Sequence, residues 1–248
     1  MHKTILILGG GVGGLVLVLA LLVIQTRSGL WGGLISRSST ARDRLNARRS
    51  KDQKYFLYVH EPGDVRRTAF LVWKYPDRDD DRWIFIPAVN MTRRIAANDS
   101  RSSFVGSDFT YEDVSGRDIS ADDRAFLRHE PMGPARCAVV ESKPRRQADY
   151  SRKLTWIDEA TRLPLREEYY DVQGQLARVF AAEKVESLSS AEGGAGRTYP
   201  TAVRRSMTNV KSGHSTRVTF EKVAYDAGLP EDLFTARSLE NPPRRWLE

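Results

Sequence analysis

From Tyr55 to Tyr225 the large apolar residues come in short blocks, YFLYV at 55–59, AFLVW at 69–73, WIFIPAV at 83–89 and CAVV at 137–140. Each block has the length and the β-branched and aromatic content of a strand. Turn-forming clusters separate them: EPGD at 61–64, YPDRDDD at 75–81 and AANDS at 96–100. The pattern continues through SRKLTWID, the turn EATRLP, LREEYYD, the turn VQGQ and LARVFAAEKVE. TAVRRSMTNV and STRVTFEKVAY then flank KSGH, a hairpin signal in which Gly213 supplies the permissive backbone. Val218 and Phe220 fall on one strand face and Arg217, Thr219 and Glu221 on the other, the alternation of a half-wet sheet. A parallel fold would need a long amphipathic helix between strands, and none can be read. The only helical pattern is short, SADDRAFLR at 120–128 with Ser120 as N-cap. The fold class expected is mainly β: a curved antiparallel sheet, or incomplete β-barrel, with a short helical lid. No fixed-period repeat is visible, and SLSSAEGGAGRTYP at 187–200 reads as an inter-strand loop inside one domain.

The amino terminus breaks this pattern. Thr4 to Ile24 carries no charged side chain, and about twenty such residues suffice for a helix to cross a bilayer. Within it, Gly9, Gly11 and Gly14 satisfy G-x-G-x-x-G, the spacing of a dinucleotide-binding turn. That reading needs an amphipathic helix and an acidic residue about twenty positions later. The glycines instead lead into LVLVLALLVIQ, apolar on every face, and the first acidic residue is Asp43. No cofactor is therefore expected, and the segment reads as an export signal or an uncleaved membrane anchor, preceded by Lys3 and lacking an Ala-x-Ala cleavage site. The arginines that follow, Arg27, Arg37, Arg42 and Arg44, would by charge bias hold the body in the cytoplasm. The division expected is a signal anchor or signal peptide at 1–27, a basic Ser/Gly/Arg linker at 28–53, a β domain at 54–240 and a tail at 241–248.

The 39 Lys and Arg against 32 Asp and Glu give a net charge of +7, but the basic residues are scattered among acids, as in DRDDDR at 77–82. Nucleic-acid binding needs a contiguous basic face, so it is not expected. The one cysteine, Cys137, lies in the apolar run ARCAVV and reads as buried and inert. His2, His60, His129 and His214 have no metal-ligand spacing, and DRDDDR lacks the glycine and terminal Glu of a calcium loop, so no metal is expected. No G-x-S-x-G occurs, and Ser107 in VGSD is not on a strand-to-helix elbow, so no catalytic residue is assigned. A curved sheet without chemical machinery suggests a binding protein for small apolar or lipidic ligands.

One block is more specific than its composition. DRWIFIPAVNMTRRIAANDSRSSFVGSDFTYEDVSG, residues 81–116, resembles the LolA-like outer-membrane lipoprotein-sorting family of Gram-negative bacteria. The resemblance rests on Trp83, Phe85, Pro87, Arg93, Arg94, Ile95, Phe104, Gly106, Ser107, Asp108, Phe109 and Asp113, and extends through VRRTAFLVWKY, LTWIDEATRLPLREEYYDVQGQLARVF and LPEDLF over about 54–236. It implies an incomplete antiparallel barrel with a helical lid over an apolar cavity that takes lipid or the acyl chains of a lipoprotein. Trp83, Phe85, Phe104, Phe109 and Tyr111 are the candidate cavity residues, and Arg93, Arg94, Gly106, Ser107, Asp108 and Asp113 the candidate turn and motif residues. The chain departs from the family at its start, where no amphipathic first helix can be read. The resemblance implies a non-enzymatic periplasmic carrier, exported or held at the inner membrane through residues 4–24, whose partners are lipid or lipoprotein acyl chains and an inner-membrane transporter. A different reading is a membrane-anchored accessory protein of an export complex that binds a protein partner through an open sheet edge.

Overall fold

Hairpins in sequence order build the molecule, each strand pairing antiparallel with its sequence neighbours except where the strand Met91–Arg94 is followed by the strand Asp122–Met132. The computed structural model describes residues 2–8, 18–26, 53–61, 64–75, 78–189, 198–225 and 229–244. Among these the strands are β1 (His2–Leu8), β2 (Val18–Thr26), β3 (Gln53–Glu61), β4 (Ala69–Lys74), β5 (Asp81–Ile86), β6 (Met91–Arg94), β7 (Asp122–Met132), β8 (Ala135–Pro144), β9 (Arg152–Asp158), β10 (Pro164–Tyr170), β11 (Leu176–Ser189), β12 (Thr198–Asn209) and β13 (Ser215–Tyr225). They form one sheet in the order β6-β5-β4-β3-β2-β1-β13-β12-β11-β10-β9-β8-β7. Pairing of β1 with β13, as in Thr4 opposite Tyr225, joins the two halves. The order is cyclic with one pairing unmade, between β6 and β7, so the sheet is not closed into a barrel. Val203 and Phe220 of β12 and β13 nevertheless pack in one cluster with Phe70 and Ile84 of β4 and β5. Three strands separate these pairs in the sheet, so it must curl to bring one face together.

Strand alternation sorts β3–β5 onto two buried faces. Tyr55, Leu57, Val59, Phe70, Val72 and Ile84 face the concave interior. Phe56, Ala69, Leu71 and Phe85 face outward, where Leu229, Leu233, Phe234 and Leu239 cover them. The covering segment is a 3₁₀ turn, Glu231–Phe234, and α2 (Ala236–Glu240). The Trp73 indole N–H donates to the Phe234 carbonyl at 2.9 Å and fixes the segment to β4. α1 (Tyr111–Ser115) lies in the crossover between β6 and β7.

Three expectations are corrected. The apolar stretch 4–24, expected as a transmembrane or signal helix, is extended at His2–Leu8 and Val18–Thr26, where β2 pairs with both β1 and β3. Residues 9–17 lie outside the described residues, as does the expected linker apart from Gln53. No helix among the described residues is long and apolar enough to cross a membrane. A sequence apolar at every position has no period to tell a helix from a strand buried on both sides, and glycines inside a helix cost about 1 kcal/mol each relative to alanine. The helix expected at 120–128 is instead the 3₁₀ turn Ile119–Ala121 followed by β7. Asp118 starts that turn by accepting from the Ser120 amide at 2.6 Å, and β8 then offers β7 a ladder running from Asp122 opposite Pro144 to Met132 opposite Ala135. Pairing overrides a weak local helical preference. Finally, the strand expected over 83–89 stops at Ile86, because Pro87 has no N–H for the ladder and opens a 3₁₀ turn, Pro87–Val89.

If the carboxy-terminal segment covers the outer face of β3–β5, Leu233→Ala should lower stability by about 2–5 kcal/mol, as for a fully buried leucine. Urea unfolding followed by tryptophan fluorescence measures it; a loss under about 1 kcal/mol would show that the segment does not hold that face.

Candidate ligand-binding site

The gap between the edge strands is spanned by the crossover 95–121, which lies across the concave face. Ile95, Phe104 and Tyr111 enter the cluster of β3–β5, and Phe109 joins Tyr150, Tyr169, Phe180 and Met207 of the other half. Phe104 and Tyr111 meet edge-to-face at 5.3 Å between ring centroids, and both lie against Phe70, at 5.5 and 5.1 Å. Such pairs add about 0.5–1.5 kcal/mol beyond burial.

Local hydrogen bonds set the shape of the crossover. Val105 and Gly106 have φ of 49° and 75°, left-handed geometry that costs the glycine nothing. The Ser107 amide donates to the Phe104 carbonyl at 3.0 Å and the Phe104 amide to the Phe109 carbonyl at 2.7 Å, so a tight reversal holds Val105 in a region that β-branched residues avoid. The Ser107 hydroxyl donates to the Phe104 carbonyl at 2.7 Å. Thr110 and Asp113 form a reciprocal capping box at the start of α1, with distances of 2.8 and 3.0 Å.

Two carboxylates bolt this segment to the sheet. Asp108 accepts from the Thr216 hydroxyl on β13 at 2.7 Å and lies 2.7 Å from His214 Nδ1. Asp113 accepts from the Arg178 guanidinium on β11 at 2.6 Å. Arg178 also pairs with Asp149, donates to the Asp108 carbonyl at 3.3 Å and lies over the Tyr169 ring at 4.6 Å. Burial works against its charge, but Asp113 and Asp149 outweigh that and hold the guanidinium above its ordinary pKa. Burial pushes the Asp149 carboxyl up despite Arg178, and Glu112 up despite Arg117. Arg117 bridges Glu112 and Asp122 at 2.9 and 2.8 Å, and Tyr150 donates to Asp122 at 3.0 Å. Glu167 on β10 accepts from Lys153, Thr155 and Tyr169 at 2.8, 3.1 and 2.7 Å. The interior is thus apolar along β3–β5 and lined by paired charges along β9–β11.

The structure divides the expected cavity residues among three clusters. Phe104 and Tyr111 share the concave cluster, Phe109 lies in the neighbouring one, and Trp83 and Phe85 sit on the outer face under the carboxy-terminal segment, Trp83 edge-to-face with Trp73 at 5.2 Å. Of the expected motif residues, Gly106, Ser107, Asp108 and Asp113 come together in the crossover. Arg93 and Arg94 lie on exposed β6, where Arg94 pairs with Asp81. The acidic run read as a solvated turn is partly internal: Asp80 pairs with Lys74 at 2.8 Å and Arg82 at 2.7 Å, all three shielded. Cys137 is fully buried, with its thiol pushed up chiefly by that burial. Among the described residues no three His, Cys, Asp or Glu side chains gather as a metal site. A surface hollow of about 560 Å³ between the β7–β8 and β9–β10 turns, lined by Arg136, Asp158 and Glu159, is remote from the crossover. Arg178, Arg117 and Arg205 were not singled out from sequence, although T-Y-E-D at 110–113 is a legible capping box and Val203, Arg205 and Met207 alternate on one face.

Arg178→Met should leave Asp113 and Asp149 without their cation and cost about 3–5 kcal/mol at pH 7. Burial already pushes the Asp149 carboxyl up and Arg178 opposes that shift, so without the cation the penalty should be full above the raised folded value, fade as the pH falls through it, and be largely gone by about pH 4. Urea unfolding at pH 7 and pH 4 measures this; an equal loss at both would rule out the charge role.

A family model for an uncharacterized protein matches residues 51–241. No curated protein matches the chain. The chain resembles the solved structures of a DUF1329 family protein from Desulfovibrio piger and of an outer membrane lipoprotein-sorting protein domain from Vibrio parahaemolyticus. Each has a TM-score of 0.73 at 23% identity, covering 96% of this chain and 90% of the other. A LolA superfamily protein from Nitrosomonas europaea aligns with a TM-score of 0.59 at 18% identity, over 95% of this chain and 90% of that one. The coverage reaches well ahead of residue 51, and the open antiparallel sheet with few helices is the LolA-like fold. With the family match spanning most of its length, this chain belongs to the DUF1329 family and carries the fold of the outer membrane lipoprotein-sorting and LolA superfamily proteins.

Proposed function

We propose that the chain is a non-enzymatic binding protein for lipid or for the acyl chains of a lipoprotein, acting in the periplasm. The observation that carries this reading is the open curled sheet: its concave apolar face is covered by a crossover attached through side chains rather than through a strand ladder. A pairing of β6 with β7 would seal the interior, whereas a crossover held by Asp108 and Asp113 can lift and let an acyl chain replace Phe104 and Tyr111 against Phe70. The likeness to a lipoprotein-sorting domain and to a LolA superfamily protein supports the same class of ligand and the same compartment.

A second reading has its own observation. Edge strand β7 is long and exposes Phe126 and Leu127, 57% and 44% accessible, beside an unpaired ladder. That suits β-augmentation by a protein partner such as a membrane transporter.

Extraction of the purified chain followed by mass spectrometry should recover lipid, and a fluorescent acyl-chain probe should bind. Asp108→Ala, which removes the carboxylate contacts to Thr216 and His214 and leaves only the backbone amide on Thr216, should speed probe release several-fold with the fold retained. Absence of both lipid and probe binding would sink the first reading, and crosslinks from β7 to a transporter alone would favour the second.

A further inference from the structure

Among the described residues, the concave face holds one arginine that no carboxylate balances. On β12, Thr201, Val203, Arg205 and Met207 alternate onto one face, and Val203 and Met207 are core residues of the two interior clusters. Arg205 therefore points inward between them, opposite Val218 of β13. Its guanidinium carbon lies 4.4 Å from the centroid of buried Phe220. Its Nε is buried and has no hydrogen-bond partner among the described residues. The neighbouring Arg204, on the opposite face, is exposed. Every other interior arginine described above, Arg82, Arg117 and Arg178, has a carboxylate within 2.9 Å.

The strands beyond β13 supply no counter-charge either, since neither β1 nor β2 contains an Asp or Glu. What lies nearby are hydroxyls. Among the described residues, Tyr225 on β13 is the group whose charge bears on Arg205, and its hydroxyl is 2.5 Å from Thr201 Oγ1 on the Arg205 face. The Tyr225 ring stacks on Tyr199 at 4.4 Å. Burial lowers the Arg205 pKa to about 10, so the side chain stays charged at neutral pH. A half-buried charge with a buried, unpartnered Nε is costly to retain, and the Phe220 ring offsets only part of that cost.

We propose that Arg205, with the hydroxyls of Thr201 and Tyr225, binds the anionic headgroup of an amphiphile whose acyl chain lies along the apolar interior. The anion is a carboxylate or phosphate, which the planar guanidinium can engage through two N–H donors. Val203 and Phe220, which flank Arg205, belong to the same cluster as Phe70 and Tyr111, so a chain leaving the headgroup enters apolar surroundings directly. The inference rests on the lipid-binding reading and adds the polarity and orientation of the ligand.

The test compares cis-parinaric acid with its methyl ester on the full chain, by fluorescence titration at pH 7. The acid should bind at least about tenfold more tightly than the ester, the effect expected of one charge-assisted pair. Arg205→Met should abolish that preference, and Arg205→Lys should restore part of it. Inorganic phosphate at millimolar concentration should compete weakly, because it lacks the chain. Equal binding of acid and ester by the unaltered chain would overturn the headgroup site while leaving lipid binding intact. Failure of both probes to bind would overturn the site together with the lipid-binding reading. Displacement of the acid by phosphate alone would show a site for a free anion and overturn the amphiphile. The comparison of acid with ester needs no variant, so it decides even if Arg205→Met does not fold.

Discussion

The unmade pairing between β6 and β7 shapes everything inside the sheet. β6 has four residues and β7 eleven, so even adjacent they could not share a full ladder, and each remains an edge. The chain that joins them has to cross the opening. Because it crosses over a concave apolar face, its own apolar residues, Ile95, Phe104 and Tyr111, are buried there. The interior is therefore filled by a segment that is not part of the sheet. A strand ladder repeats one hydrogen bond after another, whereas the crossover is attached by a few side-chain contacts, each contributing about 0.5–1.5 kcal/mol, more when charged. The opening is accordingly the place where the fold yields at least cost.

Those attachments are polar because they lie at the boundary of the two interior halves. Buried ion pairs add little net stability, but removing one partner strands the other, so they fix position more than they stabilise. Asp113 accepts from the Thr110 amide within the crossover as well as from Arg178 on the sheet, and Asp108 meets Thr216 through both its carboxylate and its own amide. Charge repeats the pattern along β9–β11, where Glu167 gathers Lys153, Thr155 and Tyr169. The concave face is thus bounded by an apolar wall on one side and ordered charge on the other.

The sheet was legible in sequence wherever one face is wet or turns are marked. STRVTFEKVAY reads as a strand with Val218 and Phe220 on one face, and β13 spans those residues with both in the concave cluster. WIFI also reads correctly: Trp83 and Phe85 face one way, Ile84 and Ile86 the other, and both sides are covered. Which covered side would hold ligand was not legible, because it depends on where the carboxy-terminal segment docks, a contact between residues far apart in sequence. The same limit hid Arg178 and Arg205, ordinary arginines until the curl of the sheet turns them inward. β1 and β2 were illegible for a different reason: with no polar residue to break the apolar run, helix and two-sided strand have the same pattern. At 120–128 local signals were present but weak, and the edge of β8 decided the outcome.

The carboxy-terminal cover also determines which wall can move. Leu233, Phe234 and Leu239 bury the outer face of β3–β5 while the crossover buries the inner one, so these strands are packed on both sides. Displacing β4 would expose Phe70 and Leu71 together and break the Trp73 bond to Phe234. Lifting the crossover exposes its inner contacts alone and leaves the outer cluster intact. At about 25 cal/mol per Å² of apolar surface, uncovering one layer costs roughly half of uncovering two of similar area. The doubly packed strands therefore form the fixed wall, and any access to the concave face must come by displacement of the segment that bridges β6 and β7.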